Sequence, residues 1–268
     1  MEYLSVTKRK ELTAEEKALS YSKYYYMEMA RPDQAIVDRV LQGPIDPKDA
    51  LKREDLNDLL NPGYLASEYG YCVMPDGSGY VSNLVKMPEV TPEMFDWWFL
   101  WHGLHPLRYK IWDPDEHLDV QVGAEGRKRL LDPNIPMRER IWGVKHHVTE
   151  DVGMGPILEA DVIFISPEEF GFDTKRFKSP NVGTAICGDG FMCHFIREID
   201  GGVELRTRFW LGWTVVDKRP VRGPSPLPEN APNQESILRS ATLHNIKEFT
   251  HLARILPLVY AEERGNFE

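Results

Sequence analysis

Apolar and polar residues alternate with a period of two in much of the chain beyond residue 106, and this pattern predicts β-strands that bury one face. Asp200-Gly201-Gly202 is a hairpin signal between the last two strands. A Pro-rich connector, residues 220–232, leads into one long helix predicted over residues 233–260, in which Pro257 is expected to cause a kink or an early end. The predicted strands cover residues 117–122, 140–152, 158–165, 190–199 and 204–216.

The first 90 residues have the features of short helices and turns. Thr13-Ala14-Glu15-Glu16 has the pattern of a capping box and predicts a helix start, and another short helix is predicted over residues 47–60. A Gly- and Tyr-rich stretch around Pro75-Asp76-Gly77 predicts loops or a short hairpin. Thr91-Pro92-Glu93 begins a mostly aromatic helix, residues 93–102, which must be buried.

This order of elements predicts an α+β protein with an antiparallel sheet of at least five strands and a C-terminal helix across one face. We expect a helical N-terminal region at residues 1–86 and a sheet-and-helix domain at residues 87–268. A curved sheet that grips a long helix usually encloses a cavity, and ligands bind preferentially in such places.

Composition narrows the function. The chain has 32 Lys+Arg and 42 Asp+Glu, a formal net charge of −10, which argues against a nucleic-acid partner. Three cysteines without metal-binding spacing, no secretion signal and no apolar run long enough for a membrane span predict a cytoplasmic protein with free thiols and no membrane partner. A homodimer is expected only because it is the commonest assembly.

The long helix carries the first chemical signal. At 100° per residue, His244 and Glu248 lie in the middle of its apolar face, one turn apart, where both side chains reach a single point. A buried carboxylate must be paired or bound to a metal, and zinc suits mixed nitrogen and oxygen ligands. A hydrogen-bonded core histidine beside an internal ion pair is the alternative. The apolar residues of this face are Ile237, Ala241, Leu252 and Ile255.

The sheet contributes further candidates. Glu150 interrupts an apolar strand face and is either an inward carboxylate or a residue that emerges into solvent at the strand end. His194 shares an apolar face with its neighbours and is either a hydrogen-bonded core residue or an acid–base group. Tyr109 offers a phenolic donor. The alternation places His117 beside Asp119 and Gln121, which favours exposure.

Four blocks resemble the family of 2,4-diacetylphloroglucinol and phloretin hydrolases, with a similarity that covers roughly residues 87–254. The blocks are residues 97–102, residues 107–112 with His117, residues 142–153 and residues 244–248. The resemblance implies a helix-grip fold, like that of the birch-pollen allergen, with an added N-terminal helical part. It also implies a hydrolase that uses zinc, held by two His and two Glu, to cleave the carbon–carbon bond between a phloroglucinol ring and its acyl group.

Carried over by motif, the resemblance implies His117, Glu150, His244 and Glu248 as the zinc ligands, with His102 as the alternative to His117. His194 corresponds to a pocket histidine that would move a proton, and Tyr109 to a tyrosine that would bind a ring hydroxyl. We expect an aromatic lining from Trp98, Trp101, Trp210 and Trp213.

The sequence therefore predicts a zinc-dependent hydrolase of an acylated polyphenol, a small-molecule substrate whose acyl group it leaves open. One alternative is a non-catalytic protein that carries a hydrophobic ligand in the same cavity. Another is a metal-dependent hydrolase of other β-diketones. Two inward carboxylates favour an enzyme over a carrier, because a carrier gains nothing from burying them.

Overall fold

The computed structural model describes residues 9–152, 157–179, 181–224 and 234–267. Its centre is an antiparallel sheet of eight strands in the order β1-β2-β8-β7-β6-β5-β4-β3, and β9 and β10 form a separate ribbon. The strands are β1 Gly70–Val73, β2 Gly79–Pro88, β3 His117–Val122, β4 Lys145–Glu150, β5 Leu158–Ile165, β6 Val182–Gly188, β7 Met192–Ile199, β8 Gly202–Leu211, β9 Trp213–Val216 and β10 Arg219–Arg222.

Helices flank this sheet, so the α+β prediction is confirmed. The longest, α7, runs over Gln234–Glu263 and lies against β1, β2 and α3. Pro257 lies inside α7 and does not end it. The other α-helices are α1 Ala14–Ala18, α2 Gln34–Leu41, α3 Pro92–Trp101, α4 Pro106–Lys110, α5 Ala124–Leu130 and α6 Pro167–Phe170. Short 3-10 helices cover Ser22–Tyr26, Pro47–Asp49, Arg53–Leu60, His102–Leu104, Met137–Glu139 and Thr174–Lys178.

Helix α3 begins as its sequence predicts, because the Thr91 side chain accepts a hydrogen bond from the Met94 amide at the helix start. Residues 95–101 are all buried, and all except Asp96 belong to the main hydrophobic core, where the rings of Trp97 and Trp101 stack with centroids 5.0 Å apart. No described helix is long and apolar enough to cross a membrane.

Four strands, β1, β2, β6 and β10, were not predicted individually, and burial explains why β2 and β6 were missed. Nearly all of β2 and the second half of β6 are buried on both faces, so neither has the polar alternation by which a strand is recognised. The strand predicted over residues 140–152 is shorter because residues 140–143 form turns before β4. The one predicted over residues 204–216 is divided at Gly212, whose φ is 93°.

Strand β2 crosses the expected boundary between residues 86 and 87. It pairs along its whole length with β8, and the β1–β2 hairpin adds further residues before 87 to the same sheet. The segment before residue 87 therefore contains sheet strands as well as helices, and a division at this position stays a prediction.

A buried ion cluster ties the N-terminal segment to the sheet. The Glu68 carboxylate oxygens lie 2.6 Å from a guanidinium nitrogen of Arg206 and 2.5 Å from one of Arg208, and the two arginines are two residues apart on β8. Arg206 also donates to the Leu59 carbonyl at 3.0 Å. Burial opposes ionisation, but the charges of Arg208 and Arg206 outweigh it and lower the pKa of Glu68 to about 2.

Glu68→Gln should lower the free energy of unfolding by about 3 kcal/mol, because it leaves two buried guanidinium groups without their anion. Urea titration measures this. Asp161→Asn is the control, since Asp161 pairs with Lys145 at an exposed site and its loss should change stability by about 0.5 kcal/mol. Equal effects of the two substitutions would contradict a structural role for the Glu68 cluster.

Wild type and Glu68→Gln also test how the stabilisation by Glu68 depends on pH. The pKa of Glu68 is lower in the folded than in the unfolded chain, so its stabilisation is complete above its ordinary pKa of 4.5. The stabilisation is lost as the pH falls towards about 2. The stability difference between wild type and Glu68→Gln should therefore shrink across this range, whereas a difference that does not change with pH contradicts the assignment.

Candidate active site

Four titratable side chains from three elements converge between the sheet and α7. His117 begins β3 and is the direct antiparallel partner of Glu150 at the end of β4. His244 and Glu248 lie one turn apart on α7. Strand pairing and helix periodicity thus bring together the four residues that the resemblance implies.

The distances define a compact group. Nε2 of His117 lies 3.5 Å from Oε2 of Glu248 and 4.0 Å from Oε1 of Glu150. Nε2 of His244 lies 3.8 Å from Oε2 of Glu150 and 3.9 Å from Oε2 of Glu248. Each imidazole therefore faces both carboxylates. This is the arrangement expected of ligand atoms around one central point.

His117 is held by Tyr109 on two sides. Its Nδ1 donates to the Tyr109 carbonyl at 3.1 Å, and the two rings stack with centroids 4.0 Å apart. Because the proton is on Nδ1, Nε2 of the neutral ring carries a lone pair. This Nε2 atom is buried and has no hydrogen-bond partner among the described residues. Burial and the charge of His244 lower the pKa of His117 well below its ordinary value, so the ring is neutral.

His117 corrects one expectation. The alternation along its strand favours exposure, but its side chain is fully buried. The register of β3 shifts between His117 and Asp119, so the two residues do not share a face as a regular strand would require.

His244 is oriented by a residue that the sequence analysis missed. Its Nδ1 lies 2.5 Å from Oε2 of Glu116, whose other oxygen lies 2.7 Å from Nζ of Lys247. Burial opposes protonation of His244, but Glu248 and Glu116 raise its pKa to about 10. The acidic run just before His117 and a lysine on the buried face of α7 were the available signals for this pair.

Asp113, Glu116 and His244 form a second group with the spacing of metal ligands. Lys247 lies 3.2 Å from Asp113 and 2.7 Å from Glu116, so a cation already compensates these carboxylates. The group that contains His117 and Glu150 is therefore the stronger candidate metal centre.

Both carboxylates of the candidate metal centre are also held in place. Asn245 donates to Oε1 of Glu248 at 2.9 Å, and the Tyr109 hydroxyl donates to Oε1 of Glu150. Burial raises the pKa of Glu248 well above its ordinary value, because its negative charge lacks full compensation. A bound divalent cation would provide that compensation.

A cavity of about 220 Å³ opens onto three of these residues, Glu150, His244 and Glu248. Its walls are largely apolar, which suits a flat aromatic ligand. Of the four tryptophans expected as lining, none lines this cavity, and Trp112 lines it instead. Other apolar lining comes from Phe99, Val148, Val162, Phe164 and Phe209.

The other predicted site residues also line this cavity. Nδ1 of His194 lies 2.9 Å from the Thr207 hydroxyl, and burial lowers the pKa of His194 to about 3. Burial and the adjacent Glu150 raise the pKa of Tyr109 well above its ordinary value. His102 lies beside Tyr109 with ring centroids 5.7 Å apart and outside the group of His117, Glu150 and His244.

Comparison with known proteins gives close relatives along most of the chain. A phloretin hydrolase from Eubacterium ramulus is 38% identical over 264 residues, which cover 94% of this chain and 93% of that protein. A 2,4-diacetylphloroglucinol hydrolase from a Pseudomonas species is 30% identical over 261 residues, 90% of this chain and 87% of that protein.

Among solved structures, a protein of unknown function from Staphylococcus aureus, SA2116, covers 69% of this chain and 98% of its own with 9% identity and a TM-score of 0.33. That score is too low to assign a fold family.

The family described as the DAPG hydrolase PhiG domain matches residues 51–261. The match includes every predicted site residue and confirms the resemblance inferred from the sequence. The chain belongs to the DAPG hydrolase family of enzymes.

Proposed function

We propose that this protein is a zinc-dependent hydrolase that cleaves the carbon–carbon bond between a phloroglucinol-type ring and its acyl group. The observation that carries the proposal is the convergence of two imidazoles and two carboxylates at one end of an aromatic-lined cavity. The names of the phloretin and 2,4-diacetylphloroglucinol hydrolases support the substrate class.

The donor set fits a zinc ion. His117 presents an unpartnered Nε2 lone pair, and Glu248 is a buried carboxylate without full compensation. His117, Glu150, His244 and Glu248 would hold the ion, and the bonds from Tyr109 and Glu116 would fix their orientation. When bound, zinc supplies Lewis-acid polarisation of the acyl carbonyl and a lowered pKa of the attacking water.

Tyr109 binds the substrate ring in this mechanism. Its high pKa keeps the phenol protonated at working pH, and because its one proton is donated to Glu150, its oxygen can accept a hydrogen bond from a ring hydroxyl. The hydroxyl lies against Glu150 at the edge of the candidate metal centre, where it can reach a phenolic oxygen next to the acyl group. The apolar walls limit the access of bulk water to the reacting carbon.

His194 moves the proton. Its low pKa keeps it neutral, and the contact between Nδ1 and Thr207 leaves Nε2 for the substrate. Nε2 accepts the proton of a ring hydroxyl and returns it to the ring carbon that bears the acyl group, which becomes tetrahedral. Water then adds to the acyl carbonyl through its oxygen, and the carbon–carbon bond breaks with its electron pair moving onto the ring. The resulting ring enolate takes up the proton that the water releases, which restores the aromatic phenol and leaves a carboxylic acid as co-product.

Two further assignments accompany the activity. The long α7 packed on an antiparallel sheet supports a helix-grip fold. Cys187 and Cys193 are direct cross-strand partners and carry free, buried thiols, as does Cys72. Free thiols at paired positions support a reducing compartment, the cytoplasm.

The proposal is tested by metal analysis of the purified protein by mass spectrometry, followed by incubation with phloretin and with mono- and diacetylphloroglucinol. We expect about one zinc per chain and release of the deacylated ring. Zinc without hydrolysis of any of the three would favour other β-diketones as substrates. Neither metal nor hydrolysis would favour a ligand carrier.

Glu248→Ala and His194→Ala should separate metal binding from proton transfer. Glu248→Ala should lose zinc and activity and keep the fold, because it removes one ligand and a poorly compensated charge. His194→Ala should retain zinc and lose turnover by about 10²- to 10⁴-fold. Zinc content and steady-state kinetics measure both effects. A metal-free but fully active Glu248 variant would refute the ligand assignment.

Glu116→Gln should weaken zinc binding by about 10- to 100-fold, because it removes the carboxylate that orients His244. Competition with a chelator of known affinity measures this change. Glu159→Gln is the matched control, because Glu159 is exposed on β5. Unchanged zinc affinity in Glu116→Gln would show that His244 needs no such support.

A further inference from the structure

His102 presents a hydrogen-bond acceptor to the cavity. Its Nδ1 lies 2.8 Å from the Trp98 carbonyl, and a carbonyl only accepts, so Nδ1 carries the proton. The lone pair is therefore on Nε2, which has no hydrogen-bond partner among the described residues. Unlike the two ring nitrogens of His146, this atom is not sealed away from the cavity that His102 lines.

The state of His102 is fixed by its surroundings. The residue is 2% exposed, and burial lowers the pKa of its imidazole to about 4. At neutral pH the ring is therefore uncharged, and Nε2 can accept a hydrogen bond but cannot donate one.

His146 is a second polar side chain without a hydrogen-bond partner on the cavity wall beside His102. Its ring meets that of His102 edge-on with centroids 5.1 Å apart, and neither nitrogen of His146 has a partner among the described residues. Gly103 permits this packing, because a Cβ there would lie 2.4 Å from Cε1 of His146. Buried polar groups without partners are rare in proteins, and a ligand is one common reason for them.

The location of His102 suggests which ligand atom it meets. Its ring is 5.7 Å from that of Tyr109, which in turn stacks at 4.0 Å on His117. The Tyr109 ring therefore lies between His102 and His117, so His102 is farther from the candidate metal centre than Tyr109 is, on the wall of the same cavity. The neighbouring lining side chains Phe99 and Phe164 are apolar and offer no hydrogen bond.

We propose that His102 is a substrate-binding residue that accepts a hydrogen bond from the ring hydroxyl para to the acyl group. The assignment rests on the proposed function, because it places the acyl carbonyl at the candidate metal centre. A bound ring without this hydroxyl shields Nε2 from water and gives it no hydrogen bond, so His102 selects for a hydroxyl at this position.

The test compares two ketones that differ only in the para hydroxyl, 2,4,6-trihydroxyacetophenone and 2,6-dihydroxyacetophenone. Stopped-flow quenching of tryptophan fluorescence measures their dissociation constants on the protein as purified, before turnover. Wild type should bind the trihydroxy ketone about tenfold more tightly, and His102→Phe should reduce that ratio to about one. His102→Gln, which keeps an acceptor, should restore part of the ratio.

Phe99→Leu is the matched control. Phe99 lines the same cavity and contacts His102 with ring centroids 5.3 Å apart, so its truncation should weaken both ketones by a similar factor and keep the ratio. Melting temperature and zinc content accompany each variant. An unchanged ratio in folded His102→Phe, or loss of zinc from it, would overturn the assignment.

The binding ratio does not depend on turnover. A wild-type protein that hydrolyses no acylated ring but shows the ratio, and loses it in His102→Phe, refutes the proposed function and supports the subsite. A protein that hydrolyses both ketones with equal efficiency refutes the subsite and leaves the proposed function standing.

Discussion

The site depends on the burial of two carboxylates, Glu150 and Glu248, which face each other from β4 and α7. Bringing such groups together in an apolar cavity is unfavourable unless positive charge compensates them. Nε2 of His117 and Nε2 of His244 each lie within 4.0 Å of an oxygen of both carboxylates. The two imidazoles and the two carboxylates therefore surround one point. Three features are needed at once for this convergence: the β3–β4 register, the spacing of one turn on α7 and the packing of α7 on the sheet.

A second layer of contacts holds this arrangement. The Tyr109 carbonyl fixes the tautomer of His117, and the Tyr109 hydroxyl orients Glu150. Glu116 orients His244 and is itself bound to Lys247. Because Lys247 is on α7 only three residues after His244, the same helix supplies two of the candidate ligands and the cation that stabilises their support. The outer contacts thus fix the orientation of the side chains that form the candidate metal centre.

Regular periodicity made part of the site predictable. Helix steps of 100° placed His244 and Glu248 on one face, and alternation along the strand gave Glu150 as an inward candidate. His117 could not be found in this way, because an irregular register separates it from Asp119. Glu116 was missed because its partner is 128 residues away, and no local pattern encodes such a contact.

The same reasoning applies to the fold. Thr91 and its proline predicted the start of α3, and the C-terminal helix was predicted close to its observed extent. Strand β2 escaped because burial on both faces removes the alternation. Pairing of β2 with β8 is a long-range property, which explains why the expected boundary at residue 86 falls inside a strand.

A crystal structure of the purified protein, with diffraction recorded on both sides of the zinc absorption edge, tests the central claim most directly. We expect one anomalous peak at about 2.0–2.2 Å from Nε2 of His117, Nε2 of His244 and an oxygen of each of Glu150 and Glu248. A peak among Asp113, Glu116 and His244, or no peak in protein purified without chelators, would contradict it.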